Sequence, residues 1–288
     1  MAKALRFIDE RQRNFAKLYD GLCAKHGKWT VWEDFVMLSA DSISAAFDKD
    51  HAEDREQDYM QRSKKYSKDE LERLAEMLTE TVNALETYPD QDFLGELFMH
   101  LGLSNEHNGQ FFTPYHVCHF MAEICYGDDM KKKIEDTGWA TVNEPTCGSG
   151  AMLVAFANVC RKHGLNYQTD VLFVAQDIDP IVACMCYLQL SLLCCPGYVM
   201  IGNSLTKPLA SIDGRGLIPL PDRNIWYTPF YFREEWHTRR KALELALLFG
   251  ELLNIPQAQP QPQPEQAPAP AAVAVDWSVT ETGQLTFL

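Results

Sequence analysis

The sequence lacks a long apolar run and a secretory type of start, and each absence excludes a class of protein. Its longest apolar stretch, roughly residues 178–193, is interrupted by polar residues and shorter than the ~20 residues that span a bilayer. Residues 1–15 contain no apolar segment of signal-peptide length. Nine cysteines without a secretion signal indicate free thiols in a reducing compartment. We therefore expect a cytoplasmic protein without a membrane segment.

Positive charge is also scarce. Lys and Arg number 26 against 40 Asp and Glu, which gives a net charge of −14. Proteins that bind nucleic acid by themselves usually present a basic face. The composition therefore predicts that this chain does not hold nucleic acid strongly alone, and it leaves a local basic patch or a partner subunit as the source of affinity.

The sequence pattern divides the chain into four parts. Residues 1–105 are predicted to form a helical N-terminal domain, with a capping-box pattern at residues 67–70. From 106 to 254, β-prone runs alternate with glycine turns and helical segments, which is typical of parallel strands joined by crossover helices. Residues 255–275, rich in Pro, Gln and Ala, are predicted to be a disordered linker, and residues 276–288 a C-terminal peptide. The prediction is an α/β fold.

Three strands are predicted in the second part, at residues 140–143, 171–175 and 198–201. The first leads into the turn Asn143-Glu-Pro-Thr-Cys-Gly-Ser-Gly150, which precedes an apolar helix. Glycines let a ligand approach the backbone, and the free N–H groups of the helix start face it. Glu144 suits a cationic group. An ordinary strand-to-helix turn is the alternative for this motif.

A carboxylate pair follows about thirty residues later. Asp177 and Asp179 lie at the end of the next predicted strand, where nucleotide-binding folds hydrogen-bond the ribose hydroxyls. Asp177 is the preferred candidate, and Asp179 is the competing helix N-cap. A dinucleotide enzyme is the rival interpretation, but Gly148-Ser-Gly150 is followed by Ala-Met-Leu153 and the third glycine of GxGxxG is missing.

With Gly109-Gln-Phe-Phe-Thr-Pro114 upstream, these motifs together resemble one family, the N6-adenine DNA methyltransferases. The sequence is most similar to the modification subunit of type I restriction-modification systems. That family has a helical N-terminal domain, a GQF[FY]TP segment, a [DE]PxCGxG turn and a ribose-binding pair. The resemblance covers about residues 90–207 and includes the stretch Asp92-Phe-Leu-Gly-Glu-Leu-Phe98.

The resemblance implies a Rossmann-like S-adenosylmethionine-dependent methyltransferase fold whose sheet is truncated by the length of this chain. It implies S-adenosylmethionine as cofactor, DNA as substrate, adenine N6 as methyl acceptor, and a specificity subunit or second methylase subunit as partner. A bacterial, phage or mobile-element origin is expected. By the resemblance, the cofactor-binding residues are Gln110, Phe111, Phe112, Thr113, Pro114, Glu144, Cys147, Gly148, Ser149, Gly150, Asp177 and Asn203.

One family feature has no direct counterpart. The Asn/Asp-Pro-Pro-Tyr/Phe loop of the family accepts from the target amino group and stacks on the flipped base. The nearest candidates here are Asn224, Tyr227, Pro229 and Phe230. A complete methylase also needs three further strands and a target-recognition region, for which few residues remain before the linker. Methyl transfer is the main hypothesis, and a catalytically inactive cofactor-binding accessory or anti-restriction protein is the alternative.

Two further patterns occur in the sequence. The residues His116, Cys118, His119 and Cys125 could be drawn as a metal site, but their spacing suits one helical face poorly and no metal is expected. The C-terminal residues Gln284, Leu285, Phe287 and Leu288 resemble the peptide by which bacterial proteins bind the replication sliding clamp. A disordered linker before such a peptide is the usual context. A tail that folds back as an edge strand is the alternative.

Overall fold

The structure, a computed structural model, describes residues 10–103, 112–252, 277–279 and 285–287. The chain divides into two compact units, Met1–Glu244 and Leu245–Leu288. The predicted domain boundaries near residues 105 and 254 and the predicted linker at 255–275 lie outside the described residues.

Helices make up the first part of the chain. They are α1 (Glu10–His26), α2 (Lys28–Phe47), α3 (Ala52–Ser63), α4 (Lys68–Thr87) and α5 (Phe93–His100). The predicted capping box is confirmed at the start of α4, because Ser67 Oγ accepts from the N–H of Glu70 and the Glu70 carboxylate accepts from the N–H of Ser67.

Strands and helices alternate in the second part. The elements are α6 (Tyr115–Tyr126), α7 (Met130–Thr137), β1 (Ala140–Glu144), α8 (Ala151–Lys162), α9 (Tyr167–Asp170), β2 (Val171–Asp177), α10 (Pro180–Leu192), β3 (Gly197–Ile201), β4 (Ile225–Tyr227), a 3-10 helix (Pro229–Phe232) and α11 (Glu234–Leu252). The three predicted strands are thus confirmed, and the first unit is a mixed α/β structure.

The sheet of the first unit has the order β1-β2-β3-β4. Strands β1, β2 and β3 are parallel, so their carboxyl ends meet at one edge. Strand β4 is antiparallel to β3 and places Tyr227 opposite Tyr198, near the start of β3. The direction of β4 therefore carries the residues that follow it away from the carboxyl edge of the sheet.

Both faces of the sheet are covered, as is usual for parallel strands. On one face Phe173 of β2 packs in a core that includes α8 and α10. Helix α10 also contacts α2 and α5, so the helical first part and the sheet share this core. On the other face Leu172 and Tyr198 pack with Tyr231 and Trp236.

The second unit contains a short antiparallel pair of strands, β5 (Trp277–Val279) and β6 (Leu285–Phe287). Trp277 is opposite Phe287 in the register. Of the four residues of the predicted clamp-binding peptide, Leu285 and Phe287 lie in β6, whereas Gln284 and Leu288 lie outside the described residues.

Across the described ranges, every helix is too short or too polar to cross a membrane.

Candidate cofactor-binding site

The glycine turn connects β1 to α8 at the carboxyl edge of the sheet. Gly148 and Gly150 have φ angles of +55° and +94°, a region in which only glycine is unstrained. A Cβ atom on Gly150 would also lie 2.8 Å from the Sγ of Cys186 on α10. No described side chain caps the first turn of α8, so its free N–H groups are available to a ligand.

Asp177, at the end of β2, meets this turn directly. The N–H of Gly148 donates to Asp177 Oδ2 at 2.8 Å, and the N–H of Asp179 donates to Asp177 Oδ1 at 3.0 Å. An ionised carboxylate can accept about four hydrogen bonds, and Asp177 is only half-buried. Its remaining lone pairs fit two neighbouring hydroxyl groups, such as those of a ribose.

Asp179 is the helix N-cap, the alternative role that the sequence predicted for it. Its Oδ1 accepts from the N–H groups of Ile181 and Val182, at 2.9 and 3.2 Å, in the first turn of α10. This is the geometry of an N-cap, and it distinguishes Asp179 from Asp177.

Phe112 covers the turn from the side of the helical part. A Cβ atom on Gly148 would lie 3.5 Å from the ring of Phe112, and that ring lies 5.3 Å from the ring of Phe98 on α5, centroid to centroid. The neighbouring Thr113 and Pro114 border a cleft of about 930 Å³. Gln110 and Phe111, predicted to belong to the same segment, lie outside the described residues.

Glu144 and Cys147 flank the turn in different environments. Glu144 is half-buried, and its Oε1 accepts from the hydroxyl of Thr146 at 3.2 Å. Cys147 is buried. A hydrogen bond with the thiol of Cys186, together with burial, raises the pKa of Cys147 well above its usual value. Cys147 is therefore a protonated thiol that packs the turn, and Glu144 is the anionic group at its edge.

Ser149 points into the protein interior. Its Oγ donates to Asp92 Oδ2 at 2.7 Å, and its backbone carbonyl accepts from Gln189 Nε2 at 2.8 Å. Ser149 can therefore contact a ligand through its backbone, not its hydroxyl. Sequence reasoning did not select Asp92 or Gln189, and the only pointer to Asp92 was its place in the stretch that resembles the family.

Asn203 follows β3 at the same edge. Its side-chain oxygen accepts from the N–H of Leu205 at 2.9 Å, which forms a turn. Two hydrogen bonds hold the backbone around Asn203. The Nε2 of Gln176 on β2 donates to the carbonyl of Lys207 at 2.8 Å, and the N–H of Gly202 donates to the carbonyl of Asp177 at 2.8 Å. Asn203 is thus near Asp177 along the edge, with its amide oxygen engaged in the turn.

The candidate catalytic residues are not brought together at the turn. Asn224 lies at the carboxyl end of β3, where its carbonyl accepts from the N–H of Ile201 at 3.0 Å. Tyr227 lies on β4, the edge strand on the opposite side of the sheet from β1, and Pro229 and Phe230 follow it in the direction away from the carboxyl ends of the parallel strands. In this region the Oγ of Thr228 donates to the carbonyl of Cys195 at 2.7 Å, just before β3 begins.

The residues His116, Cys118, His119 and Cys125 all lie on α6. Cys118 is buried, whereas His116 and Cys125 are exposed, so they face in different directions. In the part of the chain that the structure describes, no group of three or more His, Cys, Asp or Glu side chains could hold a metal ion.

A comparison with protein families found a match that spans this region. Residues 92–218 match the family N-6 DNA Methylase, a range that begins at the N-cap of α5 and includes the glycine turn, Asp177 and Asn203. The search of curated proteins gave no match. The family match supports DNA adenine methyltransferase activity in general, with DNA as the substrate. The predicted resemblance is confirmed by this match: residues 92–218 correspond to an N-6 DNA methylase domain, consistent with an N6-adenine DNA methyltransferase family.

Proposed function

We propose that this chain binds S-adenosylmethionine at the glycine turn and forms the cofactor-binding part of a DNA adenine methyltransferase related to type I modification subunits. The observation that carries the proposal is the direct contact between the N–H of Gly148 and the carboxylate of Asp177, beneath the ring of Phe112. A glycine turn and a strand-end carboxylate in contact are typical of folds that bind nucleoside cofactors.

The residues present suit this cofactor. The free lone pairs of Asp177 would accept from the two ribose hydroxyls, and the half-buried Glu144 would attract the cationic amine of the methionine part. The N–H groups at the start of α8 would donate to its carboxylate, and Phe112 would exclude water from one side. When bound, S-adenosylmethionine supplies an activated methyl group.

Base binding is proposed to come from a partner chain, either a specificity subunit or a second methylase subunit. Two observations support this. Tyr227 lies on the edge strand on the opposite side of the sheet from β1, and Pro229 and Phe230 follow it away from the carboxyl edge. The net charge of −14 disfavours strong DNA binding by this chain alone. The position of these residues equally favours the alternative, a catalytically inactive accessory or anti-restriction protein, and methyl-transfer assays separate the two.

Calorimetry with S-adenosylmethionine and S-adenosylhomocysteine tests the cofactor site. Asp177→Ala is expected to weaken binding by about 1–3 kcal/mol, because it leaves the ribose hydroxyls without an acceptor. The matched control is Asp179→Ala, which removes a neighbouring carboxylate that caps α10 and should lower stability without changing affinity. A wild-type chain that ignores both ligands but binds NAD contradicts the proposal.

Transfer is tested with a labelled methyl donor and duplex DNA, with and without candidate partner subunits. We expect transfer to adenine N6 when the partner is present. Because Pro229 and Phe230 lie away from the turn, replacing both with alanine should leave cofactor affinity unchanged. Cofactor binding without transfer in every combination would favour the accessory protein, and selective loss of transfer in the Pro229/Phe230 variant would restore those residues as base-binding candidates.

A further inference from the structure

A buried polar network joins α5 to the glycine turn. Asp92, the N-cap of α5, is buried and accepts three hydrogen bonds. The donors are the N–H of Gly95 at 3.0 Å, the Oγ of Ser149 at 2.7 Å and the Nε2 of Gln189 at 2.7 Å. One carboxylate therefore ties together an N-terminal helix, the turn and α10.

Gln189 closes the network. In addition to Asp92, its Nε2 donates to the carbonyl of Ser149 at 2.8 Å, and its Oε1 accepts from the N–H of Leu94 at 3.2 Å. Gln189 is completely buried. Both the hydroxyl and the carbonyl of Ser149 are thus held by residues 57 and 40 positions away along the chain.

The residues around this network are closely packed. A Cβ atom on Gly95 would lie 2.0 Å from Asp92 Oδ2 and 2.5 Å from Ser149 Oγ, so α5 approaches the turn as closely as glycine allows. On the other side, Gly150 lies against Cys186. The turn is therefore fixed between α5 and α10.

Burial makes the hydrogen bonds to Asp92 important. Among the described residues no Lys, Arg or His pairs with this carboxyl group, and burial raises its pKa while the Ser149, Gln189 and Gly95 donors lower it. A buried acceptor that loses a donor is costly, since no water replaces it. Removing the Ser149 hydroxyl should therefore leave the buried Oδ2 of Asp92 without its donor.

We propose that Asp92 and Gln189 are positioning residues, which act through Ser149 to hold the turn in the conformation in which the N–H of Gly148 donates to Asp177 at the cofactor site. This inference rests on the proposed function at the same site. Two glycines in a turn have wide conformational freedom, and a ligand that must order them binds more weakly. The network supplies that order before the cofactor arrives.

The test compares Ser149→Ala and Asp92→Asn with the control Asn158→Ala. Asn158 is also buried and also links the two parts of the fold, since its Nδ2 donates to the carbonyls of Pro89 and Val154 at 2.8 and 2.9 Å. It lies outside the network. The readouts are S-adenosylhomocysteine affinity by calorimetry, amide hydrogen exchange at Gly148 and Gly150 without ligand, and thermal unfolding.

For Ser149→Ala we expect about tenfold weaker binding, equivalent to ~1.4 kcal/mol, and faster exchange confined to the turn amides. Asn158→Ala should lower the melting temperature while both readouts stay at wild-type values. The proposal is overturned if Ser149→Ala keeps wild-type affinity and exchange, or if the control loses affinity to the same extent. If Asp92→Asn does not fold, Ser149→Ala decides alone.

Hydrogen exchange separates this inference from the proposed function. If the wild-type chain does not bind S-adenosylhomocysteine, the proposed function fails. The exchange rates of Gly148 and Gly150 in the ligand-free Ser149→Ala variant then still decide whether the network orders the turn. Unchanged exchange at both amides overturns the positioning role whatever the affinity of the wild type.

Discussion

Asp41 on α2 should make the stability of this fold depend on pH. Its side chain is 1% exposed, and neither carboxyl oxygen accepts a hydrogen bond from the described residues. Burial, with the carboxylate of Asp58 nearby, raises the pKa of Asp41 to about 8, against the opposing effect of Arg55 and Arg62. At neutral pH Asp41 is therefore a neutral carboxylic acid in the folded protein.

The direction of the pH dependence follows from the difference in the pKa of Asp41 between the folded and the unfolded state. An unfolded Asp has a pKa of about 3.9, so between about pH 4 and 8 the folded state holds one more proton at Asp41. Its contribution to stability is complete below about pH 4 and is lost as the pH rises towards 8. Each pH unit in this window removes up to about 1.4 kcal/mol from the free energy of unfolding, or about 2.7 kcal/mol between pH 5 and 7.

Asp41→Asn removes the titration and keeps the volume. Urea unfolding of the variant and the wild type at pH 5, 6, 7 and 8, followed by circular dichroism, should show a stability difference that grows in favour of the variant by up to about 1.4 kcal/mol per pH unit. A difference that stays constant over this range refutes the reasoning.

Asp34→Asn is the matched control on the same helix. Asp34 is equally buried, but its carboxylate accepts from Lys65 Nζ at 3.0 Å, Arg62 Nη1 at 3.1 Å and the hydroxyl of Tyr66 at 3.0 Å. Its replacement should destabilise the fold at every pH tested, because Lys65 and Arg62 each lose a buried anionic partner.

Three further outcomes are expected. Ser67→Ala should lower the free energy of unfolding by about 1 kcal/mol in urea denaturation, because the capping box of α4 is lost. Gly150→Ala should lower the melting temperature for two reasons: the left-handed φ of residue 150 strains an alanine, and the new Cβ collides with Cys186. The double variant with Cys186→Ala should recover only the loss of melting temperature that the collision causes. A synthetic peptide of residues 276–288 should bind a bacterial sliding clamp with micromolar affinity, about −8 kcal/mol, by fluorescence anisotropy. Alanine at Gln284 and Phe287 together should remove that binding, and no binding to the clamp of the host would make the motif a coincidence.

Local patterns in the sequence determined much of the fold. The β-prone runs at 140–143, 171–175 and 198–201 became β1, β2 and β3, and the capping box at Ser67 starts α4. These features depend on residues that are neighbours along the chain. Parallel strands bring their carboxyl ends to one edge, so the spacing of the motifs was also sufficient to predict that Gly148 and Asp177 belong together.

Tertiary structure alone decided the rest. The side chain of Ser149 is directed inward by Asp92 and Gln189, which are 97 residues apart in sequence. The position of β4 at the sheet edge opposite β1 separated Tyr227 from the turn, and the direction of β4 carried Phe230 further away. A short apolar run can add to a sheet edge in either direction, and no local pattern states which, because the choice depends on which faces and hydrogen-bonding groups the assembled core leaves open.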